Sequence, residues 1–317
     1  MATTMNAAAP TTTARSERYR DAERRLWAHH GLEPVEHWVD LAEPRARIRV
    51  IEAGPSDGPP VVFVGGTGGT GPYWAPLVRE LDGARALLVD RPGWGLSSPI
   101  DYRGRDYGAT TAAILRGTLD ELGLATVDVV GASVGNLWGL WLARYAPERV
   151  RRIALVGGSP DRRVAVPRFI RMLASPVGAL MVRIPMSAKM LGGQLRAIGH
   201  GPALEAGRLE EFLAWRVAFG RDTDSMKHER AFVRSVLGPD GWRRGFVPSD
   251  ADLAAISQPV RMIFGSDDPT GSVDIWRQFT SALPNGQLTV VDGAGHMPWW
   301  DDPASVGRAV RELVEGA

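Results

Sequence analysis

The sequence predicts an α/β fold, a mostly parallel, eight-stranded-type sheet flanked by helices and interrupted by a helical insertion. Three observations predict it. Short apolar runs recur at 61–64, 86–90, 127–130, 152–156, 260–264 and 287–291, and most are apolar throughout, as strands covered on both faces are. Helical patterns fall between them at 74–81, 107–122, 134–145 and 273–283, and a last one follows at 303–315, which implies βαβ units. Between Gly158 and about Ser249 this alternation stops, and the residues there are helical in pattern, with many Met and Arg.

The elements are justified in chain order. Residues 1–15 are rich in Ala and Thr and read as a disordered tail, with no apolar stretch of the length a signal peptide needs. Residues 16–30 form a charged helix with Tyr19, Ala22, Leu26 and Trp27 near one face. Two alternating segments, 36–41 and 47–52, separated by a turn at Glu43-Pro44, form an antiparallel pair at a sheet edge. The α/β core is then 16–158 and 250–317, and 159–249 is a helical cap lying on the sheet.

The totals narrow the function classes. The 37 basic and 36 acidic residues leave a net charge of +1, which argues against nucleic acid or an anionic membrane as the main partner while leaving a local patch open. There is no cysteine, so disulfides, thiolate catalysis and Cys-ligated zinc are excluded. No stretch approaches the 18 or so consecutive apolar residues of a membrane span. A cytoplasmic location is the default expectation, and the oligomeric state is left undetermined.

Chemistry is concentrated in three loops. Gly131-Ala132-Ser133-Val134-Gly135 lies between an apolar strand and a helix, where Gly-x-Ser-x-Gly forces a sharp turn that exposes the serine hydroxyl. A serine hydroxyl is a poor nucleophile at neutral pH and needs a base within reach. Of the six histidines, only His296, in Asp292-Gly293-Ala294-Gly295-His296, sits at the end of an expected core strand. A carboxylate is needed to fix the tautomer of that histidine, and the strand 260–264 is followed by Asp267 and Asp268. Chain reading alone leaves these two open; the other aspartate caps the helix that begins near Ser272.

The residues resemble the α/β-hydrolase superfamily over roughly 35–317, in the order Ser, Asp, His. The resemblance places that family's Gly-x-x-Asp loop on Gly265 and Asp268, and its Gly-x-Gly-His on Gly293 to His296. It places Asp-x-Pro-Gly-x-Gly-x-Ser on Asp90 to Ser97, as a structural turn near the site mouth. It implies a catalytic set of Ser133, Asp268 and His296, with the backbone N–H groups of Thr67 and Val134 as the oxyanion hole. The oxyanion loop departs from the family in having Gly65-Gly66 where His-Gly is usual, which removes a side chain that braces it.

The resemblance implies hydrolysis of a carboxylic ester or lactone through an acyl-enzyme on Ser133. The close alternative is hydrolysis of a carbon–carbon bond in a dicarbonyl-like substrate by the same three residues. A lyase, an oxygenase or a binding protein on the same fold stands behind these, and no cofactor or metal is expected. Gly66-Thr-Gly68-Gly-Thr-Gly71 with Asp90 on the next strand suggests a more distant rival, an NAD-binding oxidoreductase. Methionines and aromatics in 159–249 suit an adaptable pocket for a small apolar substrate. Pocket positions are expected at Gly66, Trp74, Trp94, Met172, Met181, Trp215 and Met297.

Overall fold

A computed structural model describes residues 12–315. Most of the expected tail lies outside that range. Helix α1 (Ala14–His29) begins at Thr13, whose hydroxyl accepts from the Ser16 N–H while the Ser16 hydroxyl answers the Thr13 N–H, a reciprocal cap. Its buried face is Tyr19, Ala22, Leu26 and Trp27, joined by Glu23. Strands β1 (Val35–Ala42) and β2 (Arg45–Ala53) form the expected antiparallel pair.

Strands β3 (Pro60–Val64), β4 (Arg85–Val89), β5 (Val127–Ala132) and β6 (Val150–Val156) alternate with helices α2 (Ala75–Glu80), α3 (Tyr107–Glu121) and α4 (Val134–Tyr145). After β6 come six helices: α5 (Arg168–Ala174), α6 (Pro176–Met181), α7 (Ala188–Ala197), α8 (Gly201–Glu205), α9 (Glu210–Asp222) and α10 (Ser225–Val236). A small antiparallel ribbon, β7 (Leu237–Gly238) with β8 (Gly241–Trp242), corrects the expectation that this stretch holds no strand. Two residues per strand are too few for a periodic signal. The chain then returns through α11 (Asp250–Ala254), β9 (Val260–Gly265), α12 (Val273–Ser281), β10 (Gly286–Val291), α13 (Pro298–Asp301) and α14 (Pro303–Glu315).

The eight-stranded sheet runs β1-β2-β4-β3-β5-β6-β9-β10, antiparallel through β1, β2 and β4 and parallel beyond. From β3 the chain goes first to β4 on one side and later to β5 on the other. A reversal of this kind opens a crevice at the carboxyl ends of the two central strands, where ligands of open α/β sheets bind. The loops that leave β3 and β5 are Gly65–Gly69 and the turn at Ser133. The topology therefore puts the two glycine-bearing motifs side by side.

A buried charge cluster ties the antiparallel edge to the parallel core. Arg49 on β2 bonds both oxygens of Glu23 on α1 at 3.0 and 2.6 Å, Glu36 at 2.6 Å and Asp90 at 3.4 Å. Asp90 also accepts from the Gly71 N–H at 3.1 Å, and its side chain is fully enclosed. That position overturns the dinucleotide reading: a carboxylate spent on Arg49 and Gly71 cannot reach a ribose. The turn Asp90–Ser97 is an internal joint beside the loop that follows β3, where Arg91 donates to the Gly66 carbonyl. Ser97 donates to the Asp90 carbonyl at 2.7 Å, and the Gly95 N–H reaches Ser225 at the start of α10 at 3.0 Å.

Removing one partner from such a cluster leaves an uncompensated buried charge, commonly a loss of about 3–5 kcal/mol. Arg49→Met is therefore expected to lower unfolding free energy by about that much in urea titration. A loss below about 1 kcal/mol would mean that the carboxylates find other compensation.

Candidate active site

Ser133 sits at φ 52°, and among the described residues it is the one non-glycine residue in the left-handed region. Such a conformation persists only where the surroundings enforce it. Asn136, in the first turn of α4, donates to the Gly157 carbonyl at 3.1 Å and accepts from the Val156 N–H at 3.2 Å, so the helix start is pinned to the end of β6. Gly135 lies so close to the Val64 carbonyl that a Cβ there would overlap it. The first turn of α4, with the dipole of the helix behind it, favours negative charge near Ser133.

His296 follows β10, and its Nδ1 lies 2.8 Å from Asp268 Oδ2 after β9. Asp268 is 3% exposed and accepts three further hydrogen bonds, from the Gly158 N–H (2.8 Å), the Thr270 N–H (2.9 Å) and the Thr270 hydroxyl (2.6 Å). Burial opposes its charge, but the His296 imidazole and these bonds prevail and hold its pKa at about 2. For His296, burial pushes down, while the charge and hydrogen bond of Asp268 push up harder, so its pKa lies above the ordinary value. With Nδ1 turned to the carboxylate, Nε2 is the nitrogen left to act as a base. Asp267 is exposed, bonds Ser266, and caps nothing; Ser272 itself caps α12.

Ser133, His296, Thr67 and Val134 all line one cavity of about 340 Å³. The loop bearing Thr67 is held at three successive residues. Arg91 donates to the Gly66 carbonyl (2.7 Å), Thr67 donates to Glu229 (3.3 Å), and Arg216 donates to the Gly68 carbonyl (2.8 Å). A side chain at Gly65 would put its Cβ 2.6 Å from the Gly69 carbonyl oxygen. The family's histidine therefore has no room here, and the bracing comes from α9, α10 and Arg91 instead.

The loop bearing His296 is held as closely. The Gly295 N–H donates to Asp301 (2.8 Å), the His296 N–H to the Ile198 carbonyl (2.9 Å), and the Met297 N–H to His200 Nε2 (3.1 Å). His200 is fully buried, with Nδ1 2.7 Å from Asp301 Oδ2.

Several expected pocket positions lie elsewhere. Trp74 stacks on Trp299 behind the wall, Trp94 donates to Glu229 beneath it, and Trp215 is fully buried among Phe212 and Phe219. Met172 is exposed and Met181 half-buried, both on the outer side of their helices. Gly66 abuts Ser133 Cβ, and Met297 lines the cavity. Phe169, Met186, Leu191, Phe212 and Leu213, among the apolar residues expected between β6 and β9, do face it.

Sequence reading missed Arg216 and Glu229, which line the cavity, and His200 behind it. Arg216 forms no ion pair among the described residues; it leans on Phe219, 4.9 Å from the ring centroid, and bonds Gly68. Burial pulls its pKa down, opposed by the nearby Glu229 carboxylate. Glu229 is 1% exposed, and burial raises its pKa against Arg91 and the bonds from Trp94 and Thr67. A lone Arg in the apolar run Phe212–Phe219 is the signal that could have found Arg216. Among the described residues no group of His, Cys, Asp and Glu is arranged to hold a metal.

A family model described as alpha/beta hydrolase fold matches residues 59–303. Several curated relatives carry the name 2-hydroxy-6-oxononadienedioate/2-hydroxy-6-oxononatrienedioate hydrolase. That of Burkholderia vietnamiensis is 28% identical over 306 residues, covering 90% of this chain and 97% of that protein. That of Cupriavidus pinatubonensis is 27% identical over 268 residues, covering 80% and 86%. In structure the chain is similar to the 2-hydroxy-6-oxo-6-phenylhexa-2,4-dienoate hydrolase of Rhodococcus sp. strain RHA1, with TM-score 0.74, 21% identity and coverage of 90% and 99%. It is also similar to a carboxylesterase of Bacillus subtilis, with TM-score 0.72, 20% identity and coverage of 96% and 100%. At these identities the structural likeness is one of fold.

A base must be neutral to accept a proton, so fluorophosphonate labelling of Ser133 should fall as pH drops through a midpoint above 6.5. Asp268→Asn should move that midpoint down and slow labelling by about 10³–10⁴, and Ser133→Ala should show no adduct by intact mass. A flat profile between pH 6 and 8, about the ordinary histidine range, would count against His296 as the base. His200→Phe removes the acceptor for the Met297 N–H and should slow labelling by about tenfold or more, with His200→Gln recovering part of the rate. Equal rates in all three would mean that the loop holds itself.

Proposed function

The chain belongs to the α/β-hydrolase fold family, and from that premise we propose that it hydrolyses a carbon–carbon bond in an anionic 2-hydroxy-6-oxo-dienoate. The observation that carries this reading is Arg216, a cation without an ion pair on the wall of an otherwise largely apolar cavity. A half-buried guanidinium whose neighbouring carboxylate, Glu229, lies beyond ion-pair distance gains from a ligand that supplies a counter-charge in direct contact. The substrates printed in the names of the curated relatives are dicarboxylates, and they supply one. The sequence reading placed ester hydrolysis first. Arg216 and the relatives reverse that order, and the small apolar substrate expected from composition becomes an apolar chain with a charged end.

In this proposal the dienol first ketonises, its C2 hydroxyl losing a proton and C5 gaining one, and the Ser133 hydroxyl then attacks the C6 ketone while His296 Nε2 takes its proton. The oxygen that gains the negative charge lies against the N–H groups of Thr67 and Val134, a contribution commonly worth about 3–4 kcal/mol. Collapse breaks the C5–C6 bond. The electron pair leaves on C5, delocalised onto the C2 oxygen of the keto form, and the proton held by His296 returns to it. A water activated by His296 then hydrolyses the acyl-Ser133. Asp268 keeps its charge throughout, fixing the tautomer and stabilising the imidazolium.

Turnover of 2-hydroxy-6-oxonona-2,4-dienedioate should be visible as loss of the absorbance of its conjugated dienolate. Arg216→Gln should lower kcat/KM for this dianion by about 10–100-fold more than for a neutral p-nitrophenyl ester, because loss of the Gly68 bond slows both while loss of the charge-assisted contact slows only the first. Fast turnover of esters with none of dienoates would instead restore ester hydrolysis as the function.

A further inference from the structure

The near-neutral total charge conceals a one-sided distribution. From Arg162 to Leu204 the chain carries Arg162, Arg163, Arg168, Arg171, Arg183, Lys189 and Arg196 and not one acidic residue. Arg162 and Arg163 are held by Asp250, and Arg196 stands 3.9 Å from Glu205. Arg168, Arg171, Arg183 and Lys189 are exposed, and among the described residues none is within ion-pair distance of a carboxylate.

The same segment holds most of the large apolar side chains left in solvent. Val177, Leu180 and Ile184 are 60%, 61% and 57% exposed, and Met190 is 55% exposed. Hydrogen bonds from Val182 to Gly178, Arg183 to Leu180 and Ile184 to Met181 carry the turn of α6 on to Ile184. The spacing i, i+3, i+7 therefore puts the first three on one stripe. The inner side of α5 to α7 supplies Ile170, Met186, Leu191 and Leu195 to the cavity.

From this arrangement we infer that the outer surface of α5 to α7 docks on an anionic lipid bilayer, with Val177, Leu180 and Ile184 entering the headgroup boundary and the free cations meeting lipid phosphates. Aliphatic side chains flanked by unpaired Arg and Lys are the pattern of an interfacial helix surface. Protein interfaces, by contrast, favour aromatics, and the stripe of Val177, Leu180 and Ile184 has none. A second copy of the chain is disfavoured by charge, because a two-fold contact would bring the same free cations face to face. Docking in this orientation sets the helices that line the cavity against the membrane surface.

The test is co-flotation of the full chain with vesicles of phosphatidylcholine alone and of phosphatidylcholine with phosphatidylglycerol. Binding is expected to the second and not the first, and it should be released by salt as screening shortens the range of the charges. Each cation near such a surface is worth about 1 kcal/mol, about fivefold in partition. Arg183→Glu/Lys189→Glu should therefore weaken binding by more than about tenfold, and Leu180→Ser/Ile184→Ser should weaken it comparably. Unchanged circular dichroism and melting temperature would show that these variants fold. Absence of flotation on phosphatidylglycerol vesicles, or flotation indifferent to both pairs of substitutions, overturns the inference. So does a dimer in sedimentation velocity that the same substitutions dissolve, which would assign the surface to a second copy.

Discussion

The strained backbone at Ser133 is the constraint around which the rest of the molecule is arranged. An L-residue at φ 52° returns to a relaxed conformation unless both sides of it are fixed. One side is β5, buried along its length between β3 and β6. The other is α4, whose first turn is locked by the two bonds of Asn136 to the end of β6. The missing side chain at Gly135 lets β3 close from the third direction. What these contacts secure is a half-buried serine facing the cavity in the crevice that the strand order creates.

The loops that carry Ser133, Asp268 and His296 leave strands of the sheet, and the helices between β6 and β9 hold the loops after β3 and β10. Arg216 from α9 and Glu229 from α10 grip the loop after β3, while His200 and the Ile198 carbonyl grip the loop after β10. Three of these contacts are made to a backbone carbonyl or N–H, groups that almost every residue type offers, and the fourth to the Thr67 hydroxyl. The helical segment thus fixes where the oxyanion and the base would sit without depending on which side chains do the chemistry.

Much of this was legible in the sequence, and the boundary of legibility has a physical cause. Strands buried on both faces write themselves as apolar runs, so β3, β5, β6 and β9 appear in sequence close to where they fold. The loops of Ser133, Asp268 and His296 could be found because glycine is needed there and marks them. Asp268 could be told from Asp267 only by resemblance, since the choice depends on which carboxylate turns inward, and that is settled by Gly158 and Thr270. Trp94 and Trp215 look like pocket walls by composition yet serve as core, because large rings fill whatever volume the helices leave. Glu229 and His200 were missed for the opposite reason: in the sequence they resemble surface residues, and only the contacts of α10 and of the turn after α7 reveal that they are enclosed.

The grip of the helical segment on loops it does not belong to bears on how such proteins change. Exchanging that segment for one from a relative is often imagined as swapping a specificity module while leaving the engine alone. Here the two are not separable parts. A transplanted segment would have to bring its own donor for the Gly68 carbonyl, its own acceptor for the Met297 N–H and a partner for Thr67. New substrate ranges are therefore more accessible by altering single residues such as Phe169, Met186 or Leu213, which face the cavity and brace nothing, than by recombination of whole helices.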